Sequence, residues 1–94
     1  MSTPLPELVL YSRDGCHLCE EARAIVQGLL EDRAALGRRT AALHERDIAT
    51  DPALERRFFA TIPVIELAGR RLELATSPAK IRRFLDDVLD GSLV

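Results

Sequence analysis

The chain has 94 residues, of which 47% are hydrophobic and 30% are charged, and it contains two cysteines. These values predict one globular domain spanning residues 1–94, because the chain is too short for two cores and too apolar for a disordered segment. A net charge of −2 with interleaved signs argues against a protein whose main partner is nucleic acid or an anionic membrane surface.

Hydrophobic periodicity and turn residues predict elements in the order strand, helix, strand, helix, strand, strand, helix. Two of the helices begin with a capping residue followed by proline, at Asp51-Pro52 and Ser77-Pro78. A hairpin is predicted around Gly69, which can adopt a positive φ. The predicted strands are 7–11, 40–48, 64–67 and 71–74, and the predicted helices start at Cys16, Asp51 and Ser77 and end near Gly37, Ala60 and Gly91.

This order of elements also predicts the fold class. The first strand, first helix and second strand should form a right-handed parallel crossover, and the hairpin adds two antiparallel strands. The second strand carries many polar residues, which favours an edge position. The sequence therefore predicts an α/β protein with a four-stranded mixed sheet and helices on both faces.

The predicted core lies along one apolar stripe of each helix. Leu54 and Phe58 share a face of the second helix, and Phe84 belongs to the stripe of the last one. The stripe of the first helix is broad and contains Leu18, Cys19, Ala22, Ile25, Val26, Leu29, Leu30 and Leu36.

The first twenty residues contain no basic segment followed by an apolar run, and no stretch approaches the roughly 20 apolar residues of a membrane span. We therefore expect a cytoplasmic protein that does not associate with membranes. A domain of this size can hold one core without metal or cross-links, and we expect a monomer.

Both cysteines lie in one motif, Cys16-His17-Leu18-Cys19, where the loop after the first strand enters the first helix. This spacing in a first helical turn allows a short disulfide. The unpaired N–H groups and the positive end of the helix dipole stabilise a thiolate at Cys16, which we interpret as the nucleophile. Cys19 continues into the apolar stripe and should be more buried, which suits a resolving thiol that attacks a mixed disulfide at Cys16.

Charged neighbours are candidates to influence that thiolate. Arg13, and His17 when it is protonated, would stabilise a thiolate at Cys16, whereas Asp14 would oppose it. The alternative for His17 is a solvent-exposed position in the first helical turn. His44 has no partner at metal-ligand spacing and is interpreted as an exposed strand residue, so no metal site is predicted.

The cysteine motif, the order of elements and the tetrapeptide Thr61-Ile62-Pro63-Val64 together resemble the thioredoxin fold and, at this length, the glutaredoxin-like proteins. The resemblance extends from Leu8 to Leu89. It is greatest to the small bacterial glutaredoxin-like proteins, whose pattern is similar to residues 10–19, then Asp47-Ile48 with Asp51-Pro52, then Ile62-Pro63-Val64.

The resemblance implies a thiol-disulfide oxidoreductase that uses Cys16 and Cys19 and needs no cofactor beyond its own thiols. It implies a cis peptide bond before Pro63 beside Cys16, with the Ile62 backbone free to pair with a bound thiol peptide. The implied substrates are protein disulfides or small thiols, and the implied reductant is a thioredoxin-type or glutathione system. Together with Arg13 and His17, Ile62 and Pro63 are the predicted substrate-binding residues.

Glutathione is a possible co-substrate on the same resemblance, with one carboxylate at the start of the final helix and another at Arg13 or Arg57. Well-characterised glutaredoxins carry a glycine pair where the final helix begins, whereas this chain reads Leu74-Ala75-Thr76-Ser77-Pro78. The hydroxyl cap and the proline leave fewer backbone donors there. The sequence therefore predicts weak glutathione binding.

Two alternatives from other functional classes remain open. The two cysteines, with or without His17, could form a metal or iron–sulfur binding module, although even three ligands leave a tetrahedral site incomplete without a second chain or a small thiol. The second alternative is a non-catalytic adaptor that keeps the thioredoxin fold, and the missing glycine pair favours it. Zinc content and the presence of a Cys16–Cys19 disulfide distinguish these alternatives from the enzyme.

Overall fold

A mixed sheet of four strands and three α-helices make up the structure, a computed structural model that describes residues 4–91. The residue before each α-helix accepts a hydrogen bond from a backbone N–H of the first turn, and the two later helices begin with proline. The elements in chain order are β1 Glu7–Ser12, α1 His17–Ala35, β2 Ala42–Asp47, the 3₁₀ turn Ile48–Thr50, α2 Pro52–Phe58, β3 Val64–Leu67, β4 Arg70–Leu72 and α3 Pro78–Leu89.

The strands lie in the order β2-β1-β3-β4. β1 pairs in parallel with β2 and antiparallel with β3, and β4 pairs antiparallel with β3. Tyr11 lies opposite Val64, so the end of β1 and the start of β3 meet at the same end of the sheet. The predicted mixed sheet, with the polar second strand at its edge, is confirmed.

One face of the sheet packs against α1 and α3. Leu8 and Leu10 of β1 are fully buried in a cluster with Val26 of α1 and Ile81 of α3. Because successive side chains of a strand point to opposite faces, the residues between them belong to the other side of the sheet.

The opposite face packs against α2 through a smaller cluster. The rings of Tyr11 and Phe58 lie 4.7 Å apart between centroids, and Val64 and Ile48 are buried beside them. Burial raises the pKa of the Tyr11 hydroxyl, which donates a hydrogen bond to Glu66 at 3.1 Å. This cluster fixes α2, and with it the segment that leads into β3.

Several predicted boundaries differ from the structure by one or two residues. β2 is 42–47 rather than 40–48, because the Asp47 carboxylate accepts the Ala49 N–H at 2.8 Å and starts the 3₁₀ turn. α2 ends at Phe58 rather than near 60. The hairpin loop is only Ala68-Gly69, with φ of 52° and 78°, so β4 is 70–72 rather than 71–74. Positive φ at both loop residues is the pattern of a type I′ turn, and Gly69 adopts it without steric cost.

The buried stripe of α1 is narrower than predicted. It consists of Cys19, Ala22, Val26, Leu30 and Arg33, whereas Leu18 is 49% exposed and Leu36 is 72% exposed. Leu18 lies about 100° around the helix from Cys19. Leu36 follows the last helical residue and therefore leaves the stripe. In the described part of the chain, no helix combines the length and the apolar character needed to cross a membrane.

A buried arginine joins the end of α1 to α3. The Arg33 guanidinium, 4% exposed as a residue, donates to Asp86 at 2.6 Å, to Asp90 at 2.9 and 3.0 Å, and to the Arg39 carbonyl oxygen at 2.8 Å. Arg38 donates to Asp90 from the outside at 2.7 Å. Sequence periodicity missed this position, which continues the apolar stripe with a charged residue whose carboxylate partners lie on another helix.

Candidate active site

The loop after β1 delivers Cys16 to the start of α1. The Cys16 N–H donates to the Arg13 carbonyl oxygen at 3.2 Å, which closes a tight turn of residues 13–16. Gly15 has a φ of 76°, a conformation that side chains with a Cβ adopt at a cost. The turn therefore requires glycine immediately before the first cysteine.

Cys16 is the N-cap residue of α1. Its φ of −90° and ψ of 105° are extended, and its Sγ accepts the Cys19 N–H at 3.1 Å. A sulfur at this position faces the unpaired N–H groups and the positive end of the helix dipole, both of which favour negative charge. The local backbone thus provides the stabilisation that a thiolate needs.

Cys16 and Cys19 are joined by a disulfide, with their Cα atoms 5.2 Å apart. Cys16 is half-buried, whereas Cys19 is 1% exposed and lies in the stripe of α1. The two sulfurs therefore differ in access, and the more accessible one lies at the helix terminus.

This asymmetry predicts unequal alkylation of the reduced protein. Cys16 should react with iodoacetamide at pH 7 about tenfold faster or more, because it combines access with thiolate stabilisation and Cys19 has neither. Quenched time points, digested and analysed by mass spectrometry, give the two rates separately. Denatured protein is the control, in which the rates should converge; equal rates in the native protein, or a faster Cys19, would contradict the assignment.

Arg13 and His17 both have acidic partners. Arg13 forms an ion pair with Glu55 of α2 at 2.8 Å, and each side chain is 44% exposed. The His17 side chain is 83% exposed, and its Nε2 lies 3.5 Å from Glu21 one turn along α1. The charge on Arg13 is therefore offset at the site, and His17 takes the solvent-exposed alternative.

The Ile62-Pro63 segment lies beside the end of β1, as the pairing of Tyr11 with Val64 requires. The Ile62–Pro63 peptide bond is cis, Pro63 is buried and Ile62 is half-buried. The Ile62 N–H donates to the Phe58 carbonyl oxygen at 3.1 Å. The prediction that the Ile62 backbone is free to pair with a bound peptide is wrong for its N–H group. That group binds a carbonyl at the end of α2, where the last helical carbonyls have no donors within the helix.

Two further backbone bonds attach the segment after β4 to this site. The Leu74 N–H donates to the Thr61 carbonyl oxygen at 2.9 Å, and the Ala75 N–H donates to the Pro63 carbonyl oxygen at 2.8 Å. Leu74 has a φ of 51°. The sequence placed Leu74 at the end of the fourth strand and in the stretch that lacks a glycine pair; the strand assignment is wrong, and a leucine in the left-handed region has no signal in hydrophobic periodicity.

The start of α3 is capped by the chain itself. The Ser77 Oγ accepts the Lys80 N–H at 3.3 Å, and Pro78 occupies the first helical position. The predicted hydroxyl cap is confirmed, and it reduces the number of free N–H groups that an incoming carboxylate could use.

Residues 4–91 contain no group of three or more His, Cys, Asp or Glu side chains arranged to hold a metal ion. His44 is exposed on β2, as predicted, with its Nε2 3.5 Å from Glu7 of the neighbouring strand. Arg57, the other candidate for a carboxylate, has its Cζ 5.2 Å from the centroid of the Phe58 ring.

Comparison with known proteins identifies a matching family and structures of similar fold. A family model described as "Glutaredoxin-like domain (DUF836)" matches residues 7–88. The X-ray structure of the Northeast Structural Genomics target protein XcR50 from X. campestris is similar at 31% identity, with a TM-score of 0.67 over 84% of this chain and 95% of that chain. The solution NMR structure of protein Ne2328 from Nitrosomonas europaea is similar at 25% identity, with a TM-score of 0.61 over 98% of this chain and 94% of that chain. No curated protein matches. The predicted thioredoxin-like fold is confirmed.

Proposed function

Because the chain belongs to the glutaredoxin-like domain family (DUF836), we propose that it is a thiol-disulfide oxidoreductase in which Cys16 is the nucleophile and Cys19 the resolving thiol. The observation that carries this proposal is the disulfide between a half-buried Cys16 at the N-terminus of α1 and a buried Cys19 in its first turn. A structural disulfide has no need of that asymmetry, whereas two-step exchange does.

The reaction proceeds in two displacements. In the first, the Cys16 thiolate attacks one sulfur of a substrate disulfide, forms a mixed disulfide and releases the other substrate sulfur as a thiolate. In the second, the Cys19 thiolate attacks the Cys16 sulfur, forms the Cys16–Cys19 disulfide and releases the remaining substrate thiolate. The substrate gains two electrons, the dithiol loses two, and the thiolates exchange protons with water. An external dithiol, or two monothiols, returns the pair to its reduced form.

The protein contributes stabilisation and position to this chemistry. The Cys19 N–H and the terminus of α1 hold negative charge at the Cys16 sulfur both before the attack and when that sulfur is the leaving group. The first helical turn keeps Cys19 within reach of Cys16, and burial keeps it away from competing disulfides. A bound peptide would pair with the Ile62 carbonyl oxygen, since the Ile62 amide already has a partner.

Glutathione is a poor substrate in this proposal. Arg13 is paired with Glu55, and the N-terminus of α3 is capped by Ser77 and begins with Pro78, so two of the three groups expected to hold glutathione carboxylates are already engaged. The third, Arg57, lies over the Phe58 ring. Binding of a protein disulfide depends less on Arg13 and on the N-terminus of α3, because it does not need to hold the two carboxylates of glutathione. The preferred reductant is therefore a dithiol of the thioredoxin type.

The test is equilibration of the protein in glutathione redox buffers, with free thiol, disulfide and glutathione adduct quantified by mass spectrometry. The intramolecular disulfide should be the main oxidised species, and reduction of a glutathione mixed disulfide should be slow in wild type and unchanged in Arg13→Ala. Glu55→Gln is the matched variant: it frees Arg13 and should raise glutathione use about twofold to fivefold.

Three results would count against the proposal. Rapid reduction that saturates at low glutathione concentration and is impaired by Arg13→Ala would refute the poor use of glutathione. Absence of a Cys16–Cys19 disulfide across the whole buffer range would refute the oxidoreductase. Stoichiometric zinc in the purified protein, bound through Cys16 and Cys19, would favour the metal-binding alternative.

A further inference from the structure

Exposed apolar side chains are concentrated at the end of the molecule that carries the cysteines. Within residues 4–91, the five exposed large apolar residues are Leu5, Leu18, Leu36, Phe59 and Leu74. Leu5 precedes β1 and Leu36 follows α1, which places them at the opposite end from Cys16. Single exposed apolar residues are normal on a protein surface, whereas several around a reactive group need a reason.

Topology brings Leu18, Phe59 and Leu74 to the same end as Cys16. Leu18 lies in the first turn of α1, and Phe59 follows the last residue of α2, which leads directly to the Ile62-Pro63 segment. Leu74 follows β4, whose Leu72 pairs with Ile65, and its N–H binds the Thr61 carbonyl oxygen at 2.9 Å. The three residues therefore lie at the end of the sheet where β1 ends and β3 begins.

Leu74 is exposed at a backbone conformation that leucine disfavours. Its φ is 51° and it is 54% exposed, so neither local preference nor burial of the side chain accounts for leucine here. The surrounding chain holds the conformation through two bonds, from Leu74 to Thr61 and from the fully buried Ala75 to Pro63. Strain of this kind persists where the structure over-determines it, and it is concentrated at functional sites.

Phe59 lies beside a surface groove with an excess positive charge. The groove is lined by Arg13, Glu55, Arg56 and Phe59, and Phe59 is 65% exposed. Arg13 and Glu55 neutralise each other, whereas Arg56 forms no ion pair within the described part of the chain. An apolar ring beside an unpaired guanidinium complements a segment that carries an apolar and an acidic residue together.

We propose that Leu74 and Phe59 are specificity-determining residues that select a disulfide-bonded polypeptide, with an apolar residue next to its half-cystine at Leu74 and an acidic residue at Arg56. This inference rests on the proposed function, since it names the substrate class of the same site. The occupant is a polypeptide rather than a small thiol, because Leu74 and Phe59 lie on different segments that flank Ile62-Pro63, after β4 and after α2, and a polypeptide can present a side chain to each.

The test compares two disulfide-linked peptides of equal length under second-order conditions with the reduced full-length protein. One peptide carries Leu and Glu beside its half-cystine, and the other carries Ser at both positions. Wild type should react with the Leu/Glu peptide about tenfold faster. Leu74→Gly and Phe59→Ser should each reduce this ratio about fivefold, and Arg56→Ala should reduce it about twofold.

Leu36→Ser is the matched control, because Leu36 is exposed at the far end of α1 and should leave both rates unchanged. Leu74→Gly should also unfold at the same temperature as wild type or higher, since glycine accepts a positive φ without strain. If that variant does not fold, Leu74→Asn tests the same position with a polar residue that tolerates the left-handed region.

The outcomes distinguish failure of the proposed function from failure of the inference about Leu74 and Phe59. If wild type exchanges with neither peptide, the proposed function fails. If wild type exchanges through Cys16 but shows no preference, or keeps its preference in Leu74→Gly and Phe59→Ser, the inference about these residues is overturned and the proposed function stands.

Discussion

Replacing Cys16 with serine should reduce disulfide exchange by about three orders of magnitude or more, to the uncatalysed level. A serine hydroxyl is not ionised near neutral pH, so the helix terminus has no anion to stabilise and the first displacement has no nucleophile. The measurement is reduction of a peptide disulfide by dithiothreitol in the presence of the variant. Retention of more than a few per cent of wild-type turnover would refute Cys16 as the nucleophile.

The matched change at Cys19 should give a different phenotype. Cys19→Ala fits a site that is 1% exposed better than serine does, because it places no hydroxyl in the buried stripe of α1. The variant should form a mixed disulfide at Cys16 and then stop, since intramolecular release has been removed. Mass spectrometry should detect a stable one-to-one adduct that an added monothiol resolves. Full turnover without such an adduct would contradict the resolving role.

The fold and the Cys16–Cys19 pair could be predicted because both depend on local features. Apolar periodicity and the caps at Asp51 and Ser77 locate the helices, and a polar second strand indicates the sheet edge. The position of Cys16 at a helix start follows from the loop that precedes it and from the helical spacing of apolar residues that begins after it. Each of these signals acts over a few residues, so a single sequence contains it in full.

The remaining features depend on contacts between residues that are distant in sequence. Arg13 pairs with Glu55, which is 42 residues away, and that pairing decides whether its charge is available to a ligand. The positive φ of Leu74 depends on its bond to Thr61 and on the burial of Ala75. Such arrangements are set by tertiary packing, which local propensity does not encode.

Arg33 had an indirect signal in the sequence. Asp86 of α3 and Asp90, the C-cap residue of that helix, lie four residues apart, and like charges at that spacing repel unless a cation lies between them. The cation comes from the buried stripe of α1, at a position where apolar periodicity predicts another hydrophobic residue. The spacing of the two aspartates thus indicates a cationic partner, but only the packing of α1 against α3 shows that this partner is Arg33.

Replacement of Arg33 by methionine should lower the free energy of unfolding by about 1.5 to 3 kcal/mol at pH 7. The variant loses charge-assisted hydrogen bonds to Asp86 and Asp90 and one to the Arg39 carbonyl oxygen, while methionine keeps the aliphatic part of the buried stripe. The loss of unfolding free energy is smaller than for a fully buried ion pair, because the side chains of Asp86 and Asp90 are 45% and 39% exposed and are solvated by water in the variant. Urea denaturation measures the difference.

The ion pair between Arg33 and Asp90 should make the stability difference between wild type and Arg33→Met depend on pH. The hydrogen bond from Arg33 lowers the pKa of the Asp90 carboxyl below its ordinary 3.8. A carboxyl with a lowered folded-state pKa contributes stability that is present above its unfolded value and is lost as the pH falls through the folded value. The gap between wild type and Arg33→Met should therefore be constant near neutral pH and shrink below about pH 4. Arg83→Met, on the exposed part of α3, is the control and should show neither effect; a gap that stays constant down to about pH 2.5 would show that Arg33 stabilises the fold by packing alone.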